Sequence, residues 1–176
     1  MILHRATLST PLGPMLALAS DDALCALEFT GPGKRLTRLD ARRRRWFPSH
    51  DIIDEENGAI RSARAWLSAY FAGDTADASD LRLEMYGAAF ETRVWRALRD
   101  IPAGHTTSYG TIATKLGAPG ASRAVGAANG ANPIAIIVPC HRVVGSSGSL
   151  VGYGGGLERK TWLLDHERRW RTDNLF

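Results

Sequence analysis

Two cysteines, Cys25 and Cys140, are all that this chain of 176 residues contains. That excludes a disulfide framework, and their spacing is not one that ligates a metal ion. A single bridge between them is the most the sequence allows, and a reducing compartment suits so few thiols better. Lysine is almost as scarce: of 22 basic residues only Lys34, Lys115 and Lys160 are lysine. An arginine-rich surface suits phosphate contacts, although codon bias would produce the same composition. The net charge of +4 permits a polyanionic partner without demanding one. No apolar run approaches the roughly 20 residues that span a bilayer, so no membrane partner is expected. Met1–Ser20 is broken by Pro11 and Pro14 and lacks the apolar core of a signal peptide, which makes a cytoplasmic location the expectation.

What is present describes an ordinary globular protein, 44% hydrophobic and 23% charged, of one domain or two small ones. His4–Ser9, Met15–Ala19 and Leu24–Phe29 read as three short strands with hairpin punctuation between them, Cys25 packing inside the third. Gly31–His50, with Arg42–Arg45, reads as a solvated basic loop, with an auxiliary phosphate contact as the alternative. Ile60, Ala63, Leu67, Tyr70 and Phe71 recur at helical spacing from about Asp54 to Phe71, and Leu81–Met85 alternates like one more edge strand. Residues 1–85 are thus expected to form a small mixed sheet with one helix, acting as scaffold.

Residues 86–176 read as mostly helical, which makes the chain α+β overall. Phe90, Val94, Leu98 and Ile101 share one face of a helix ending before Pro102. Tyr109, Ile112, Ala113 and Leu116 mark a shorter helix, and Gly117–Gly120 breaks it. Ser122 can cap the next, Arg123 to about Asn129. Two short helices across such a turn form a helix-turn-helix, whose second helix usually meets DNA. That helix is rich in small residues, including Ala124 and Gly126. Helix propensity does not explain them; tight packing within the domain and close approach to another surface both would.

The chemistry centres on Ile134–Val144, Ile-Ala-Ile-Ile-Val-Pro-Cys-His-Arg-Val-Val. The apolar run reads as a buried strand that Pro139 ends, delivering Cys140 beside His141. Free cysteine usually just packs, but packing does not require Pro, His and Arg around the sulfur. A thiol beside a base is a nucleophile candidate, since the thiolate is the reactive form. Neighbours in a strand point to opposite faces, so direct contact between the two side chains requires Pro139 to distort the chain. Gly145–Gly156, dense in Gly and Ser, lacks the ending of a phosphate loop and reads as a flexible pocket wall. In the terminal helix from Leu157, Glu167 shares the apolar side of Leu163 and Leu164, so it either has a partner or turns to solvent.

Pro139–Val144 resembles the signature of the O6-alkylguanine-DNA alkyltransferases. Thr107–Gly110, Ser122–Gly126 with Asn132-Pro133, and Gly152–Gly156 resemble that family in the same order and spacing. The resemblance runs from about Phe90 to Glu167 and is only a matter of layout across residues 1–85. It implies a DNA-repair protein that flips O6-alkylguanine, chiefly O6-methylguanine and also O4-methylthymine, out of double-stranded DNA. The alkyl group would move irreversibly to Cys140, once per molecule.

The same resemblance implies residue roles. His141 would deprotonate the thiol through a water, and Glu167 would orient the imidazole. Arg123 would enter the duplex, with Ser122, Ala124 and Gly126 against the DNA. Tyr109 would guide the flipped nucleotide, while Tyr153, Gly154 and Val143 would line the base pocket and Asn132 would tie the helix-turn-helix to the active-site strand. In the human member of the family a serine follows the tyrosine of the pocket; here it is Gly154, so a backbone N–H would have to serve the departing oxygen. Some members carry a structural zinc, but His4, Cys25 and His50 do not reproduce its ligands, so neither metal nor cofactor is expected. A monomer is expected, with cooperative assembly on DNA open. Two rivals remain from the residues: a damage-binding module without chemistry, against which Cys140 itself speaks, and a cysteine hydrolase, which usually draws its histidine from far away in the chain.

Overall fold

The computed structural model describes residues 1–74 and 77–173, with side chains described as far as residue 170. Thr75, Ala76 and the last three residues of the expected second domain lie outside the described residues. The backbone divides into two compact units. One comprises Met1–Tyr86 with Pro133–Ala135; the other comprises Gly87–Asn132 and the chain from Ile136 onward.

The first unit is built on strands β1 (Ile2–Leu8), β2 (Met15–Ala19), β3 (Leu24–Phe29) and β4 (Asp51–Ile53), in the order β3-β2-β1-β4. Both hairpins are antiparallel, and β4 joins β1 in parallel, so the sheet is mixed as expected. Thr10 shapes the first turn by accepting from Leu12 N, and Ser20 shapes the second by accepting from Ala23 N. Every residue of β3 is buried, which is why it reads as apolar from Leu24 to Leu27 rather than alternating, and its one charged residue, Glu28, is buried with Arg35 as its partner. Cys25 packs there, and burial pushes its thiol up to about 11, which keeps it protonated and inert.

Two helices, not one, accompany the sheet. Helix α2 (Gly58–Phe71) is capped by Asn57 and buries Ile60, Ala63, Leu67 and Tyr70 of the face that periodicity predicts, with Phe71 at its end only half-buried. Helix α1 (Arg35–Trp46) takes the place of the expected basic loop. Arginine is a good helix former, and Arg43 and Arg44 both pair with Asp40 one turn back, while Arg45 lies over the Trp46 ring at 5.2 Å. The like-charge run is thereby helical rather than loop, although Arg44 and Arg45 remain exposed to solvent. Leu81–Met85 does not form the expected edge strand: Leu83 makes one isolated bridge to Leu24.

The second unit holds α3 (Ala89–Arg99), α4 (Tyr109–Lys115), α5 (Ser122–Gly130) and α6 (Leu157–Asp173), with a two-stranded parallel pair, β5 (Thr107–Ser108) and β6 (Val143–Val144). Glu91 caps α3 by accepting from Ala88 N, and Trp95, fully buried, donates its indole N–H to Ala128 O in the last turn of α5. Gly117, in the left-handed region at φ 72°, ends α4 and lets Ala118 N reach back to Ala113 O. The helix-turn-helix is therefore present as α4–turn–α5. Ser122 is its first helical residue rather than its cap; Ala121 occupies the cap position without a side-chain hydrogen bond.

The segment before the cysteine corrects the sequence reading. It is buried throughout, but Ile134 contributes only an isolated bridge to Leu27, and residues 135–137 are turn. Ile136 has φ 70°, which a strand cannot contain. Cys140–Arg142 is a short 3-10 turn, and the paired strand follows the cysteine as β6 instead of preceding it. Pairing with β3 starts, with Leu27 N bonded to Pro133 O and Ala135 N to Leu27 O, and ends at the turn that follows. No helix among the described residues is long and apolar enough to cross a membrane.

Candidate active site

The 3-10 turn resolves the geometric difficulty of a cysteine next to a histidine. Successive side chains on such a turn fan out by about 120° rather than pointing oppositely, so the thiol and imidazole need not face apart. Cys140 and His141 are both buried, His141 completely.

The imidazole is held from one side. His141 Nε2 and Glu167 Oε1 are 2.7 Å apart, and both side chains are fully excluded from solvent. The other ring nitrogen, Nδ1, is buried and makes no hydrogen bond to the described residues. The carboxylate is satisfied on both oxygens: Arg142 donates from Nε to Oε2 and from Nη2 to Oε1, each at 2.9 Å, and Gly104 N donates to Oε2 at 3.2 Å. Arg142 is itself placed by donating to Ile101 O. Such a two-pronged pair is the geometry that makes a buried charge tolerable.

These contacts set the protonation states. Burial alone would raise the Glu167 carboxyl, but His141 and Arg142 outweigh it and hold the group well below the usual carboxylate range. Burial pushes His141 below its ordinary value despite Glu167, with Arg142 and Lys160 adding to the effect. Glu167 is thus an anion whose charge is largely matched by Arg142, and His141 is a neutral base.

The backbone around the sulfur is held by side chains, with the short β5–β6 pairing following it. Asn132 Nδ2 donates to Val138 O at 2.8 Å, Asn129 Nδ2 to Cys140 O at 3.3 Å and Lys160 Nζ to Val143 O at 2.6 Å. Of these, Asn132 was expected as a support. Asn129 and Lys160 were missed by sequence reasoning, as was the role of Arg142 as a partner of Glu167. A signal existed for Lys160: it stands seven residues before Glu167, on the apolar face carrying Leu163 and Leu164.

Tyr109, half-buried, donates its hydroxyl to Val151 O at 3.3 Å, which sets it against the Gly/Ser loop. Burial and the nearby Cys140 both raise its pKa. The Tyr153 ring stands edge-on to His141 at 6.5 Å, Val143 is buried in β6 and Gly154 is exposed. On α5 the buried face carries Val125, Ala128 and Asn129, whereas Arg123, Ala124 and Ala127 are exposed and Ser122 and Gly126 half-buried. The helix therefore offers solvent a face of small residues with one arginine at its start. Among the described residues, no three His, Cys, Asp or Glu side chains are grouped to hold a metal ion.

Comparison with known proteins agrees across the whole chain. Residues 3–85 match the model of the 6-O-methylguanine DNA methyltransferase ribonuclease-like domain, and residues 89–169 match that of its DNA binding domain. The methylated-DNA–protein-cysteine methyltransferase of Mycobacterium bovis is 47% identical over 167 residues, covering 95% of this chain and 93% of that protein. The crystal structure of Mycobacterium tuberculosis O6-methylguanine methyltransferase superposes with a TM-score of 0.79 at 44% identity, covering 95% of this chain and 93% of that one. A crystal structure of the Mycobacterium tuberculosis OGT in complex with DNA gives the same TM-score and identity, covering 94% and 93%. With a helix-turn-helix, a buried Cys-His-Glu constellation and relatives this similar from end to end, the chain belongs to the 6-O-methylguanine DNA methyltransferase family of DNA-repair alkyltransferases.

Proposed function

We propose that this protein removes alkyl groups from O6 of guanine in double-stranded DNA by transferring them to Cys140. The observation that carries the reading is the anchored imidazole: His141 is held through Nε2 by the Glu167 carboxylate, leaving its Nδ1 buried and without a hydrogen bond to the described residues. His141 accepts the thiol proton through a bridging water, and the thiolate attacks the saturated carbon on O6. A C–S bond forms as the C–O bond breaks, and its electron pair leaves with the purine, which takes up one proton. The net change is thiol plus O6-alkylguanine to thioether plus guanine.

The reacting carbon lies inside the base stack, so the nucleotide has to be extruded, at a cost of a few kcal/mol that is smaller for a damaged base. Arg123 fills the gap from the exposed start of α5, with Ser122, Ala124 and Gly126 letting the helix lie close to the duplex. Tyr109 guides the rotated nucleotide, and Tyr153, Gly154 and Val143 receive the base, a backbone N–H near Gly154 serving the departing oxygen. Asn132 keeps the helix-turn-helix and the cysteine turn in register. Residues 1–85 act as scaffold and 86–176 as the DNA-binding and transfer domain. O6-methylguanine is the principal substrate and O4-methylthymine a second. A thioether is stable, so each molecule acts once, as a cytoplasmic monomer.

The test is intact mass after incubation with a duplex carrying O6-methylguanine. The protein should gain one methyl group, mapping to Cys140, and Cys140→Ser should gain none. Transfer by the serine variant, or no gain by the wild type, ends the reading.

A further inference from the structure

Lys160 is fully buried in the first turn of α6, and none of its hydrogen bonds goes to a carboxylate. A lysine usually extends its ammonium to water, and a cation near a helix N-terminus opposes the helix dipole. Neither packing nor helix stability accounts for it. Its three donors instead meet three backbone carbonyls: Val143 O at 2.6 Å, Val151 O at 2.8 Å and Gly152 O at 3.3 Å. The first belongs to β6, directly after the cysteine turn. The other two belong to the Gly/Ser loop.

Three N–H donors on a compact, rotatable charge fit three converging carbonyls, which the planar fork of arginine does not. A chain that otherwise prefers arginine has lysine at this place. The loop needs the attachment. Its other hydrogen bonds near Ser149 are internal, Gly145 N to Ser149 O and Gly148 N to Gly145 O. From Leu150 to Gly152 the bonds to the rest of the unit come from Lys160 and from Tyr109, which shares Val151 O with it. Tyr153, whose ring stands against His141, follows at once.

We propose that Lys160 is a positioning residue that clamps the Gly/Ser loop to the nucleophile-bearing segment, so that one buried ammonium sets where Tyr109 and Tyr153 stand relative to Cys140. The proposal rests on the transfer reaction only for its effect on rate; the clamp itself is read independently.

The experiment compares wild type with Lys160→Met and Lys160→Gln in three measurements: amide hydrogen exchange over residues 145–156, methyl transfer from an O6-methylguanine duplex, and the pH profile of Cys140 alkylation by iodoacetamide. For Lys160→Met, loop exchange should speed up and transfer should slow by about tenfold or more, the loss of charge-assisted hydrogen bonds. Iodoacetamide, which needs no pocket, should react at nearly the wild-type rate once the pH is above the midpoint, whatever displacement of that midpoint follows from removing a charge that acts on Cys140 and His141. Lys160→Gln, keeping two donors, should fall between. Unchanged loop exchange overturns the clamp, and so does a loss of both reactions that raising the pH fully restores, which would make Lys160 the thiolate's counter-charge and nothing more. Failure of both variants to fold overturns it too, because a role confined to the loop leaves the core standing. A wild type that transfers no methyl sinks the transfer reading, while the exchange measurement still reads the clamp.

Discussion

Arg142 and His141, adjacent in sequence, converge on the same oxygen of Glu167: Arg142 Nη2 at 2.9 Å and His141 Nε2 at 2.7 Å both reach Oε1. The carboxylate that orients the base is thus already neutralised by a neighbour. It fixes the imidazole without greatly raising its affinity for a proton, and burial then wins.

His141 should accordingly stay neutral below its ordinary value of 6.5. Between that value and its depressed one, the unfolded chain binds more protons than the folded protein, so stability rises with pH through this window and is lost as pH falls. Glu167 acts in the same direction further down, its contribution vanishing as pH drops through its own depressed value. The acid limb of the transfer rate should lie below pH 6.5, and denaturant melts should show stability declining on acidification from there. An acid limb above 6.5 would mean that the carboxylate dominates.

Glu167→Gln should cost about 3–5 kcal/mol, because it leaves the Arg142 guanidinium buried without its counter-charge. Adding Arg142→Met should recover part of that loss while transfer stays slow. Urea denaturation of the two variants measures it; equal stabilities would show that Arg142 finds other partners.

Gly126→Ala separates packing from approach to DNA. A methyl group there would lie 3.8 Å from the Tyr109 ring, an ordinary contact. Removing glycine from a helix interior should then stabilise the protein by about 0.5–1 kcal/mol. If this face lies against DNA, duplex affinity should fall in the same variant. Unchanged affinity would leave the small residues a packing role.

Arg123→Ala removes an exposed side chain, so binding to undamaged duplex should weaken only modestly and the salt slope should change by less than about one unit. Transfer should slow by about a hundredfold if the guanidinium holds the duplex open, the equivalent of a few kcal/mol of unstacking. Single-turnover rates decide it; an intact rate would reduce Arg123 to a phosphate contact.

Much of this was legible beforehand. The faces of α2 and α3 and the helix-turn-helix follow from periodicity, because burying one stripe of a helix leaves a repeating trace, whereas for Glu167 the pattern left a buried partner and solvent both open, and the structure buries it. Helix α1 did not, since local Asp–Arg pairs and a ring beneath Arg45 overcame a charge run that reads as solvated. The strand assigned to Ile134–Val138 failed for a different reason. A buried apolar run carries no record of where its backbone stops pairing, and here the bonds to Leu27 end at Ala135, after which Asn132 holds Val138 O and, beyond the run, Asn129 holds Cys140 O and Lys160 holds Val143 O. The same blindness hid Asn129 and Lys160, whose partners are carbonyls and leave no mark on side-chain patterns.

Three tethers on Val138, Cys140 and Val143 have a consequence for how such a protein wears out under mutation. A ladder tends to come apart as a unit; separate ties loosen one at a time. Random variants around the sulfur should therefore form a continuum of slowed proteins whose reactive atom is tilted by degrees, with outright loss confined to changes of the thiol itself.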